Sequence, residues 1–202
     1  DLWQTDGDRG VHASMTDATA ALDAPDAGAA LRAACAAGDA ARAAALLDGG
    51  AAPAAVDGDG FSALIGAVVG GHGAVVELLL ARGAPVDGAT RTHTPLRAAA
   101  LHGRPRLLAR LLKAGADARV PSAFGRTPLM GACFARDGVD AADAAACVAL
   151  LLADARGRET LETRNDAGES ARDLAELRGD AAIAALLADA GATRSRDADA
   201  PR

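Results

Sequence analysis

The stretch Asp57-Gly58-Asp59-Gly60 comes nearest to a chemical site, because clustered carboxylates suit a hard cation and glycines let backbone N–H groups approach an anion. Neither chemistry is completed. No Glu follows at the calcium-loop spacing, and no Gly-Lys-Ser/Thr supplies a phosphate cradle. His72, His93 and His102 could ligate a metal, but none pairs with a cysteine at zinc-site spacing. Cys35, Cys133 and Cys147 are odd in number and lack CxxC spacing, so they read as small buried hydrophobes in a reducing compartment. No GxSxG, HExxH or Cys–His–Asn pattern occurs. Catalysis is therefore not expected of this chain, and neither a cofactor nor a metal is implied. A metal or nucleotide held by His93 and His102 is kept as a remote reading.

The elements that carry these side chains follow from composition. Half of the 202 residues are hydrophobic, yet there are only 3 Phe, 1 Trp and no Tyr. The apolar half is mostly Ala and Leu, which favour helices over strands and let helices approach closely. No apolar run reaches the roughly 18 residues that span a membrane. No charged n-region and apolar h-region follow Asp1, so no signal peptide is expected. The missing initiator Met leads us to expect an excerpt of a longer chain, and the setting expected for it is intracellular, cytoplasmic or nuclear. The formal charge of −6 is unevenly spread. Residues 1–87 carry 4 basic and 12 acidic groups, residues 88–126 carry 8 and 1, and residues 127–202 carry 9 and 14. A basic belt thus sits inside an acidic protein.

Self-comparison places Leu31, Leu64, Leu96 and Leu129 in one column, at steps of 33, 32 and 33. Gly38, Gly71 and Gly103 form a second column. The pairs Leu46–Leu47, Leu79–Leu80 and Leu111–Leu112 form a third, and Gly50–Ala51, Gly83–Ala84 and Gly115–Ala116 a fourth. Each unit makes physical sense. Thr94-Pro95-Leu96 and Thr127-Pro128-Leu129 are helix starts, with a hydroxyl to cap free N–H groups and a proline pre-set for the first turn. Ser62 and Ala63 hold the same places in a weaker form. Gly71 and Gly103 end the first helix, and a second follows with Val75, Val76, Leu79 and Leu80, or Leu107, Leu108, Leu111 and Leu112, on its buried stripe. Two short helices cannot bury their faces alone, so neighbouring units must stack.

Thr94-Pro95-Leu96-Arg97-Ala98-Ala99-Ala100 and Gly70-Gly71-His72-Gly73-Ala74-Val75-Val76-Glu77-Leu78-Leu79-Leu80-Ala81-Arg82-Gly83-Ala84 resemble the ankyrin repeat signature. The resemblance covers about residues 23–192 and implies an all-α fold: an ankyrin-type solenoid of stacked antiparallel helix pairs with short β-hairpin-like loops. Units are expected at about 23–56, 57–88, 89–121, 122–164 and 165–192, with a flexible lead-in at 1–22 and a charged tail at 193–202. Trp3, in the lead-in, reads as an upstream-contact residue. The chain departs from the family's pattern at Arg32, Ile65, Arg97 and Met130, which stand where His usually follows the Leu. The fourth unit lacks the helix-ending Gly, and Arg136-Asp137-Gly138-Val139-Asp140-Ala141-Ala142-Asp143 lengthens it by about seven residues. The degenerate first and last units read as caps, the last carrying Arg172 and Asp173 on a solvated face. In this frame Asp57-Gly58-Asp59-Gly60 falls at a hairpin tip, and His72 at the start of a second helix.

Family members bind proteins on the concave face formed by the hairpin tips and the exposed side of each first helix. Carried over residue by residue, the resemblance selects Asp57, Asp59 and Phe61 in unit two. It selects Arg91, His93, Leu101 and His102 in unit three, Phe124, Arg126 and Phe134 in unit four, and Asp166, Glu169, Leu177 and Arg178 in unit five. All three Phe fall on this surface, and aromatics with Arg dominate interface hot spots. The competing reading is that a Phe here fills core against the next unit, and for Phe61 the two weigh equally. Arg106, Arg110 and Lys113 recur at i, i+4 and i+7 on a second helix, so they share an outward, convex face that reads as solvated. The expected function is a non-catalytic, monomeric scaffold for a protein segment with acidic and apolar residues. The alternative is a targeting segment of a larger enzyme or channel. Nucleic acid is not the expected target, because the pI is about 5.1 and acidic repeats flank the belt. No membrane partner is expected either.

Overall fold

A computed structural model describes residues 26–90, 92–135 and 137–192. Within them the chain forms eleven α-helices and no strand. These are α1 (Ala27–Ala37), α2 (Ala40–Asp48), α3 (Ala63–Gly70), α4 (Gly73–Ala81), α5 (Pro95–Leu101) and α6 (Pro105–Lys113). They continue as α7 (Pro128–Cys133), α8 (Ala141–Ala153), α9 (Ala155–Arg158), α10 (Ala171–Leu177) and α11 (Ala181–Asp189). Five helix pairs result, with α9 inserted after the fourth.

Helix starts are fixed by short polar side chains. The Oγ of Ser62 accepts from the Ile65 N–H at 3.3 Å, Thr94 Oγ1 from Arg97 at 3.2 Å, and Thr127 Oγ1 from Met130 at 3.3 Å. Pro95, Pro105 and Pro128 occupy the first helical turn, where their missing N–H leaves no bond unmade. The first two pairs turn at Gly38 and Gly71, whose φ values of 77° and 81° place them in the left-handed region that suits a residue without Cβ.

The first helices α1, α3, α5, α7 and α10 stack on one another in one row, while α2 packs on α4, α6 on α8, and α8 on α11 in the other. A single core runs the length of the stack between the rows, built from Leu31, Leu64, Leu96 and Leu129 on one side and Leu79, Leu111 and Leu151 on the other. The leucine column of the sequence is thus the core itself. Cys35, Cys133 and Cys147 are buried free thiols within it.

The fourth unit differs as expected, and α8 takes up much of the extra length, with 13 residues against 9 in α4 and α6. α9 was not foreseen; Asp154 caps it, its carboxylate accepting from the Gly157 N–H at 3.0 Å. The charges in the last unit have local work in addition to solvation. Asp173 closes a capping box with Ser170, and Arg172 donates to the Ala192 carbonyl at 2.8 Å. Among the described residues no helix is long and apolar enough to cross a membrane.

Candidate functional site

The tips between units are tied to one another rather than hanging free. Asp57 Oδ1 accepts from the N–H groups of Asp59 and Phe61 at 3.1 and 2.9 Å, so the Asp-Gly-Asp-Gly stretch is a turn held by its own first carboxylate. The bond from Phe61 is the main reason the Asp57 carboxyl lies below its ordinary range. Isolated bridges join Val56 to Ser62 and Ser122 to Arg126, giving the hairpin-like tips. From tip to tip, Thr90 Oγ1 donates to the Gly60 carbonyl at 3.3 Å, the Ala123 N–H to Thr92 at 3.1 Å, and the Asp166 N–H to Phe124 at 3.1 Å. These bonds make one ledge that crosses units two to five.

The selected side chains fall into three groups, two on this ledge and a third at the C-terminal ends of α7 and α10. Phe61 and His93 stack with ring centroids 4.1 Å apart and planes 25° from parallel. Burial, then the nearby Arg97 charge, holds the His93 ring below its ordinary 6.5, against a weaker upward pull from Asp57 and Asp59. Phe124 is 67% exposed, and the Arg126 guanidinium carbon lies 5.5 Å from its ring centre. Phe134 is 41% exposed under Arg178, whose guanidinium carbon is 5.3 Å from the ring centre and whose Nη2 pairs with Asp137 at 2.9 Å. Core filling therefore does not describe Phe124. It describes Phe61, 38% exposed, and Phe134 only in part.

The remaining selections are scattered. Leu101 is half-buried at the last position of α5. His102, also half-buried, lies beside Asp137, Val139 and Asp140 of the α7–α8 connection, at the opposite end of α5 from His93. His93 and His102 are thus not brought together, and among the described residues no group of three His, Cys, Asp or Glu converges on a cation. Arg91 lies outside the described residues, as do Trp3, residues 1–22 and the tail. On the convex side Arg106, Arg110 and Lys113 are exposed, with Arg110 paired to Glu77.

One residue of the site was not selected from sequence. Arg97 stands at the position after the Leu of its Thr-Pro-Leu start, and its stem lies against Gly131 of α7, where an added Cβ would come within 3.0 Å of Cγ. Its guanidinium enters a groove of about 190 Å³ between α5, α7 and α10, beside Arg126, Phe134 and Leu177. The sequence carried a signal, an Arg shared in that column only with Arg32, against Ile65 and Met130, but not the direction in which it points.

A row of stacked helix pairs with tips bonded to one another is a repeat scaffold. The ankyrin repeat family model matches residues 59–91, from the tip of the second unit to that of the third. The "Ankyrin repeat and KH domain-containing protein mask-1" of Caenorhabditis elegans is 36% identical over 134 residues, 65% of this chain. The chain folds as an ankyrin-type solenoid of helix pairs and carries an ankyrin repeat at residues 59–91. It spans 5% of the length of that relative.

Proposed function

We propose that this array is a non-catalytic scaffold that binds a segment of a protein partner on the concave face of units two to four. The observation that carries the reading is the placement of Phe61 and Phe124 at the tips and Phe134 at the far end of α7, each exposed by more than a third, in a protein with no other Phe or Tyr. Large rings with Arg beside them concentrate binding energy in interfaces, because they bury much area with few rotors to immobilise. Arg126 next to Phe124 suits a partner that presents carboxylates with apolar residues. The scaffold acts as a monomer inside the cell, where buried free thiols stay reduced.

Phe124→Ala or Arg126→Glu is expected to weaken capture of the partner about tenfold or more while leaving the thermal midpoint within a degree or two. Affinity capture with wild type and both variants, read by quantitative mass spectrometry beside melting curves, checks this. A large loss of stability in both variants would show that core had been mistaken for interface. Added salt should also weaken the binding, since Arg126 is exposed to screening.

A second reading is that the array is a targeting or regulatory segment of a larger protein, such as an enzyme or channel. It is favoured by a relative whose name joins ankyrin repeats to another domain and of which this chain spans 5%.

A further inference from the structure

The groove between α5, α7 and α10 has two unlike walls. Met130, Phe134, Leu174 and Leu177 make the apolar one, and Leu177 leaves 71% of its surface in water. Arg97 and Arg126 make the basic one. Arg97 is half-buried, and its Nε is sealed from solvent with no hydrogen-bond partner. Neither guanidinium forms an ion pair within the described residues. The one carboxylate lining the groove, Glu169, instead accepts from Asn165 Nδ2 at 2.8 Å. Burial, and next the Arg126 charge, lowers the affinity of Arg97 for its proton, which marks a cation held in a poor place.

A half-buried guanidinium without an ion pair and beside a second positive charge is held at a cost that a carboxylate at its terminal N–H groups would offset. The two terminal Nη groups of Arg97, which unlike Nε are not sealed, form an end-on fork that can donate to both oxygens of a carboxylate. We propose that this groove is an anchor for one short element of a partner peptide: an Asp or Glu side chain seated on Arg97 and Arg126, with a neighbouring large apolar side chain laid between Phe134 and Leu177. This rests on the concave-face reading and carries it to one register that reaches unit five through Leu174 and Leu177.

Charge and size select this occupant. At about 190 Å³ the groove is smaller than the roughly 300–1,000 Å³ of small-molecule sites, and it suits one or two side chains. A nucleic acid would have to pass the flanking segments, whose net charges are −8 and −5, while a peptide with a single carboxylate need not. The apolar wall has no role in holding a bare phosphate.

The test is selection of a random twelve-residue peptide library displayed on phage against the purified chain, followed by affinity measurement with synthetic peptides. Enriched peptides should share an Asp or Glu beside a large apolar residue. Replacing that Glu by Gln in the peptide, or Arg97→Met in the chain, should each weaken binding about tenfold or more, and the two losses together should not add, because they remove one contact. Arg97→Lys should recover only part of the affinity, since an ammonium lacks the fork. Leu177→Ser should weaken binding without removing the preference for Glu over Gln. Arg97→Met should melt no lower than wild type, because it removes a buried donor without a partner.

Enrichment without an acidic position, unchanged affinity on Arg97→Met, or no enrichment at all overturns the proposal. So does a dimer in light scattering that Arg97→Met dissolves, or calorimetric binding of inorganic phosphate without peptide selectivity. Peptides sensitive to Phe124→Ala and Arg126→Glu but blind to Arg97→Met sink the anchor and leave the concave-face scaffold standing. Peptides indifferent to all three sink both.

Discussion

Phe124 holds φ 63° and ψ 28°, a left-handed conformation that costs a residue with a Cβ about 1–2 kcal/mol. The tip retains it because the Phe124 carbonyl is bonded to the Asp166 N–H at 3.1 Å and Gly125 follows with φ 65°. Strain kept at a ring that is 67% exposed has no use in core packing, which fits the binding role proposed for Phe124. His93 shows a second effect of position. The folded chain favours its neutral form, so the folded state binds fewer protons than the unfolded chain as pH falls below 6.5, and stability is lost in that direction. An NMR titration should give a midpoint below 6.5 that moves up in Arg97→Met, which removes a positive neighbour. A midpoint above 6.5 in wild type would contradict the burial assigned to this ring.

At the scale of elements, the helices are too short to stand alone, and their starts are fixed locally. Thr127 is buried and its hydroxyl caps α7, a six-residue helix that carries Gly131 up against Arg97. Thr127→Ala should cost about 1 kcal/mol in urea unfolding, and Thr127→Ser should return most of it. Equal losses in both would point to the methyl group's packing and not to the cap. These starts were legible in the sequence because Thr-Pro-Leu is a local signal. α9 was not. Its four residues have no hydrophobic period, and they are helical because Asp154 caps them and Arg158 Nε donates back to the Leu152 carbonyl at 3.2 Å.

For the molecule as a whole, stability is a sum over units and the interfaces between them, so an inner unit has two neighbours to lose and an end unit one. Leu111, buried in the third unit, should cost about 2–5 kcal/mol when cut to Ala. Leu186, 39% exposed on the last helix, should cost under about 1 kcal/mol by the same change. Denaturant unfolding of the two variants separates them, and comparable losses would mean that the last helix is covered in solution. The same one-dimensional build explains the ledge. Each tip is bonded to the next, and the row places Phe61 and Phe124 along one edge of the stack.

The sequence by itself determined the helix pairs, their caps and turns and the column of core leucines, because each of these is written in residues a few positions apart and repeated in phase. It also set the position of each Phe within its unit, Phe61 and Phe124 at tips and Phe134 at the end of a first helix. Only the tertiary structure decided which of them meet. Arg178 covers Phe134 across the long connection of unit four, His102 is parted from His93 by the length of α5, and Arg97 points into a groove whose only carboxylate is engaged elsewhere. A repeat period fixes the face a side chain lies on. Whether a charge on that face finds a partner depends on atoms contributed by neighbouring units, and that is settled when the units stack.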